Sequence, residues 1–186
     1  IAVPTAHAIT VRLELSSPAI TVGSSFDMDV IVDDVNVDGF SEDEIFAFGF
    51  DAAFDATVFA FNMSAVADPP FIDDSILYDD TDVAGSIPFD QIGPGGDNIL
   101  LASLNFTALQ AGSFSLGIVS DIIGDLNEGL FTWYQEMPFD LDASKEVTVA
   151  AAPVPEPGTI ILMLMGLGGL GEIGRASCRE RVYCEV

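Results

Sequence analysis

The sequence predicts an all-β protein, an antiparallel β-sandwich or jelly roll. Apolar residues recur with a period of two over many short segments, and Gly, Pro, Asp and Asn break the chain between them. No sustained helical period runs through the body of the chain.

In order, "ITVRLEL" places Ile9, Val11, Leu13 and Leu15 on one face and Thr10, Arg12 and Glu14 on the other, so residues 9–15 read as a half-buried strand. "FDMDVIV" repeats the pattern with Phe26, Met28, Val30 and Val32. Residues 45–50 align Phe46, Phe48 and Phe50, and a further strand is expected over 57–65. Residues 100–109 turn Leu104 and Phe106 inward, and residues 113–119 do the same with Phe114, Leu116 and Ile118. Residues 130–135 and 146–149 complete the set, with breaks at 17–23, 36–44, 67–72, 93–98 and 121–129. No repeat of fixed length appears.

A chain of 186 residues, 49% hydrophobic and with 14 Phe, is long and apolar enough for one domain with a real core. Its net charge of -25, from 30 acidic against 5 basic residues, excludes nucleic-acid binding, which needs a basic footprint. The same charge disfavours anionic membrane surfaces and suits divalent cations or an extracellular medium; the plain alternative is a solubilising surface. The single histidine is His7 and both cysteines, Cys178 and Cys184, lie near the C-terminus. The body therefore lacks the side chains of Ser-His, Cys-His and zinc chemistry. A carboxylate pair could still hydrolyse a glycoside, but no pair stands out, and the chain reads as a non-enzyme.

The two ends differ from the body. Ala6, His7 and Ala8 form a small-x-small pattern, so residues 1–8 read as the remnant of a secretory signal. Near the other end, Pro155, Glu156 and Pro157 forbid a helix and keep the chain extended before an apolar run over 159–170. That run is shorter than the roughly 20 residues a bilayer span takes. The stretch "VPEPGTIILMLMGLGGLG" resembles the PEP-CTERM sorting signal of exported Gram-negative proteins. The resemblance implies recognition by an exosortase, a membrane cysteine protease, at Pro155, Glu156 and Pro157. It also implies transient membrane anchoring through a short hydrophobic C-terminal helix, and a destination at the cell envelope, cell surface or extracellular matrix. "EIGRASCRERV", from residue 172, reads as the in-frame translation of a common sequencing adapter, which sets residues 172–186 apart as foreign. The expected organisation is 1–8 signal remnant, 9–150 sandwich, 151–171 truncated sorting signal and 172–186 adapter-derived tail.

Within the body, "ITVGSSFDMDVIVDDV", "IFAFGFDAAFDATVFAF" and "LASLNFTALQAGSFSLGI" resemble cohesin-type domains. The matching positions are Gly23 before a strand, the Phe48 to Phe50 strand running on to Phe54 and Asp55, and Gly112 between Phe106 and Phe114. Phe54 stands where the family has Tyr, and Ala56 where it has Pro. A cohesin-like fold is implied; dockerin binding is not, because the contact residues have no match.

Three acidic stretches could carry a site. In "DVNVDGFSEDEI", Asp34, Asn36, Asp38 and Gly39 fit the first half of an EF-hand loop, but Ile45 occupies the twelfth position and Glu44 falls one place early. Asp34, Asn36, Asp38 and Glu44 are therefore candidate ligands of a non-EF calcium loop, against the reading of an acidic connection between strands. Ca²⁺ is the one cofactor the sequence raises. The other stretches, with Asp73, Asp74, Asp79, Asp80 and Asp82, and with Asp121, Asp125, Asn127 and Glu128, read singly as solvated loops; clustering at one end of a sandwich would change that.

Trp133 and Tyr134 offer a stacking platform for sugars, although a lone Trp on a strand reads first as core. The expected function is an exported, non-enzymatic binding or structural protein with an extracellular protein or polysaccharide partner. The alternative is a carbohydrate-binding module or small glycoside hydrolase, which needs an exposed Trp133 beside a groove with facing carboxylates.

Overall fold

The computed structural model describes residues 9–35, 44–133 and 137–153. The chain divides into two compact units, residues 1–152 and 153–186, and the fold below is that of the first. Both predicted terminal segments, the sorting triplet and the C-terminal anchor helix lie outside the described residues.

The strands are β1 (Thr10–Leu15), β2 (Ile20–Thr21), β3 (Ser25–Asp33), β4 (Ile45–Ala53), β5 (Phe59–Val66), β6 (Ile72–Asp73), β7 (Val83–Ser86), β8 (Ile99–Ala108), β9 (Gly112–Val119), β10 (Gly129–Thr132) and β11 (Ala143–Ala150). One sheet has the order β1-β3-β8-β5, the other β2-β11-β9-β4-β7-β6, with β10 also on β4. Among the described residues the helical turn Ser75–Leu77 is the only helix, and none is long and apolar enough to cross a membrane.

The period-two segments became strands because one face of each could be buried. In β3 the side chains of Phe26, Met28, Val30 and Val32 all point into the core. They meet Leu104 and Phe106 of β8, and Phe106 packs edge-on to Phe59 and Phe54 at ring separations of 6.4 and 5.5 Å. From the second sheet come Phe48, Phe50, Leu116, Ile118 and Val147.

Three short strands fall where breaks or nothing had been expected: β2, β6 and β7. Two residues, or the small residues of "VAGS", are too few to display a period. β2 pairs with β11 in parallel, the one departure from antiparallel pairing among the described residues. The expected strand 130–135 gives way after Thr132.

Phe46 does not align with Phe48 and Phe50. Phe131 pairs with Ala47 but Thr132 pairs with Ile45, so β4 carries one extra residue, a β-bulge. The bulge turns Ile45 into the core and leaves Phe46 half-buried against Phe131 and Trp133.

Candidate functional site

The register of β4 reveals how the site is built. Asp51 pairs with Val119 at the end of β9, and Gly49 pairs with Gly129 at the start of β10. β9 and β10 therefore run along the same side of β4 as one interrupted strand, and residues 120–128 replace the single residue that would have faced Phe50.

This excursion folds onto β4 at Gly49. A Cβ there would lie 2.1 Å from the carbonyl oxygen of Asn127, so only glycine admits the contact. Gly129, where the chain rejoins the sheet, has φ +108°, and a side chain would also meet Ile122, Pro138 and the Phe139 carbonyl. The close approach at Gly49 brings Glu128 beside Asp51.

Glu128 is 3% exposed, and the carboxylates of Asp51, Asp125 and Asp121 are near enough to act on its charge. The Asp121 N–H donates to Glu128 Oε2. The Asp82 N–H donates to Asp51 Oδ1 at 2.9 Å while Asp82 Oδ2 accepts from the Ala52 N–H at 3.0 Å. Asp121 and Asp125 cap the excursion's own turns, accepting from the N–H groups of Gly124 and Asn127 at 2.8 Å each. Burial raises the affinity of both Glu128 and Asp51 for a proton, and neighbouring carboxylates push the same way.

No cation offsets this cluster among the described residues, whose basic side chains are Arg12 and Lys145. Arg12 binds Asp33 at 3.0 Å and Glu14, and donates to Asn98 Oδ1 at 2.8 Å; Lys145 donates to the Leu13 carbonyl. Asp33 is held below the usual carboxylate range, first by Arg12 and then by the Asn98 N–H.

The candidate calcium residues are only partly described. Asp34 is exposed with φ +60°, and its N–H donates to Asp97 Oδ1 at 3.0 Å. Glu44 is half-buried near Gly95, while Asn36 and Asp38 lie outside the described residues. Among the described residues no group of three or more Asp, Glu, His or Cys side chains is arranged to hold a metal ion. Asp82 meets Asp51 through backbone hydrogen bonds, and Asp74 accepts from the Ser86 hydroxyl, whereas Asp79 and Asp80 are exposed.

Trp133 is 48% exposed, correcting the expectation that it sits in the core. With Thr132 inward, its ring turns outward and packs on Phe46 at 5.0 Å and 35°; Tyr134 lies outside the described residues. Phe46 and Phe131 line a cavity of about 230 Å³, together with Leu126 and Asn127 of the excursion and with Asp74 and Tyr78. Asp74 is the only carboxylate lining it among the described residues. What sequence reasoning missed is Asp51, a lone acidic residue within an apolar strand, and the burial of Glu128 in a stretch rich in turn residues.

With this geometry in place, residues 153–180 match the family model of the PEP-CTERM protein-sorting motif. The chain carries this export and sorting signal. The match includes Pro155, Glu156 and Pro157 and runs on through Arg175 and Arg179 of the segment read as adapter-derived. No curated protein matches the chain. In three dimensions the chain is similar to a cohesin module from the Clostridium perfringens ATCC13124 family 33 glycoside hydrolase, with TM-score 0.55 and 13% identity over 80% of this chain and 99% of that one. The Clostridium thermocellum cohesin of a type I cohesin-dockerin complex gives 0.51 and 13% over 82% and 100%. CaCohA2 from Clostridium acetobutylicum gives 0.50 and 15% over 76% and 91%. The body is thus an all-β sandwich resembling cohesin modules, attached to a sorting motif that marks an exported protein.

Proposed function

We propose that the protein is a non-enzymatic binding or structural module of the cell envelope or extracellular matrix, processed through an exosortase-type protease. The observation that carries this reading is the sorting motif at residues 153–180 behind a cohesin-like sandwich. The absence of Cys and His between residues 9 and 150 supports a binding rather than a catalytic role. One solved neighbour is described in complex with a dockerin, which supports a protein partner as the object of binding. The test is expression of the full chain in a Gram-negative strain with and without its exosortase, with the product weighed by mass spectrometry. Exosortase-dependent shortening near Pro155 to Pro157, lost when all three are replaced by Ala, is expected; an unshortened product in both strains would overturn the reading.

A second reading, carbohydrate binding, is favoured by the outward Trp133 on Phe46 beside the cavity. Among the described residues Asp74 is the lone carboxylate of the cavity, which supports binding over hydrolysis, a reaction that takes two. Because Trp133 is the only tryptophan, its fluorescence reports directly: a saturable change with matrix polysaccharide supports this reading, and an unchanged spectrum removes it.

Calcium at Asp34, Asn36, Asp38 and Glu44 is a proposal of the same kind, supported by ligand types and spacing. Calorimetric titration of Ca²⁺ into the full chain should give saturable heat that Asp34→Ala abolishes; no heat, or heat unaltered in that variant, would exclude this loop.

A further inference from the structure

We propose, resting on the carbohydrate reading above, that the cavity lined by Phe46 and Phe131 is selective for amino sugars, with Asp74 receiving the ammonium group of a glucosamine-type unit.

The cavity follows from the register of the sheet. With Phe48 and Phe50 inward, the outward positions of β4 and β7 include Ala47, Gly49, Ala84 and Ser86, and Phe131 of β10 pairs with Ala47. These small side chains leave a depression in the sheet surface. The Asn127 carbonyl fills it over Gly49, and Ala47, Ala84 and Ser86 remain to line the cavity.

Asp74 is the only charged side chain lining it among the described residues. It is half-buried; Oδ2 accepts from the Ser86 hydroxyl, and among the described residues nothing donates to Oδ1. The cavity thus combines a carboxylate that has an acceptor to spare with the aromatic residues Phe46, Phe131 and Tyr78. An ammonium group satisfies both, by a charge-assisted hydrogen bond to the carboxylate and by attraction to the rings. Asp73, Asp79, Asp80 and Asp125 adjoin lining residues in sequence, while Arg12 and Lys145 are engaged on β1 and β11. A uronic-acid or sulfated sugar would therefore meet like charge, and a neutral one would cover Asp74 without offsetting it. An amino sugar supplies the missing charge. The outward Trp133 ring, packed on Phe46, carries the aromatic surface beyond the cavity, which a chain of sugar rings can follow and a lone ammonium group does not need.

The test is Trp133 fluorescence of the full chain, titrated with short oligomers of glucosamine, N-acetylglucosamine and galacturonate at about pH 5.5, where amines are protonated and ordinary carboxylates are not. About 0.15 M salt screens the general attraction of a chain of net charge -25 for cations. Asp74→Asn keeps an acceptor for Ser86 without the charge, and Glu146→Gln removes the same charge from an exposed position on β11. Glucosamine oligomers should bind about tenfold or more tightly than their N-acetyl counterparts in the wild type and in Glu146→Gln, and within about twofold of them in Asp74→Asn. Galacturonate should leave the spectrum unchanged. Equal binding of the three sugars by the wild type would overturn the selectivity and leave the carbohydrate reading standing, whereas an unchanged spectrum with all three would remove both. A preference for glucosamine that survives in Asp74→Asn, or that Glu146→Gln abolishes equally, would also overturn the proposal, because net charge alone would then be the cause. So would a lysine oligomer that binds as tightly as glucosamine, which would make a basic peptide the occupant.

Discussion

Asp33 and Glu128 belong to the same sandwich, one closing β3 and the other leading into β10, yet their surroundings are opposite. Asp33 lies beside Arg12 and accepts the Asn98 N–H at 2.7 Å, so its charge is welcome. Glu128 is buried against Asp51, with Asp121 and Asp125 close by and no cation among the described residues. In a chain of net charge -25, position decides what a carboxylate does. One region gains stability from ionisation and the other loses it.

The contrast can be broken most forcefully at Gly49. Gly49→Ala drives a methyl into the Asn127 carbonyl, and the excursion must lift or β4 must bend. A loss of about 2–3 kcal/mol in urea denaturation is expected, together with return of Asp51 and Glu128 toward ordinary titration. A stability within error of the wild type would mean that the excursion does not rest on β4.

A smaller effect is expected at the paired region. Arg12→Met keeps the side-chain stem and removes the charge. Because Asp33 is held below the usual range, its contribution is present above the ordinary carboxylate pKa and lost as pH falls through the lowered value. The variant should lose the larger part of this acid-side decline in melting temperature, the Asn98 N–H holding the remainder, while keeping the decline toward alkaline pH that Glu128 causes. Loss of both limbs together would show that the two regions are not independent.

The smallest effect belongs to Asp55, which accepts from the Thr57 hydroxyl at 2.7 Å and its N–H at 2.8 Å, and is held low by those two bonds alone. Asp55→Asn keeps an acceptor without the charge. Its melting profile should differ from the wild type only on the acid limb, and only slightly.

Much of this fold was legible because burial imposes a period of two wherever one sheet face is covered. Met28, Val30, Leu104 and Leu116 are all inward as the alternation requires. The rest was hidden for identifiable reasons. A single inserted residue in β4 reverses the direction of Phe46 without altering any pattern that composition can display. The outward Trp133 follows from the same local register. Asp51 and Glu128 are distant in sequence, and the "SDIIGDLNEG" run looks solvated because its other acids, Asp121 and Asp125, are indeed turn caps. Only the interrupted strand on β4 turns Glu128 inward. The sorting motif needed no fold at all, since Pro155, Glu156 and Pro157 followed by an apolar run form a local chemical signal.

The most direct test of the contrast is a site-resolved titration of side-chain carboxyl carbons by NMR on the full chain. Asp33 and Asp55 should titrate below the ordinary carboxylate range, and Asp51 and Glu128 above it. Titration of Asp51 and Glu128 within the ordinary carboxylate range would contradict the account.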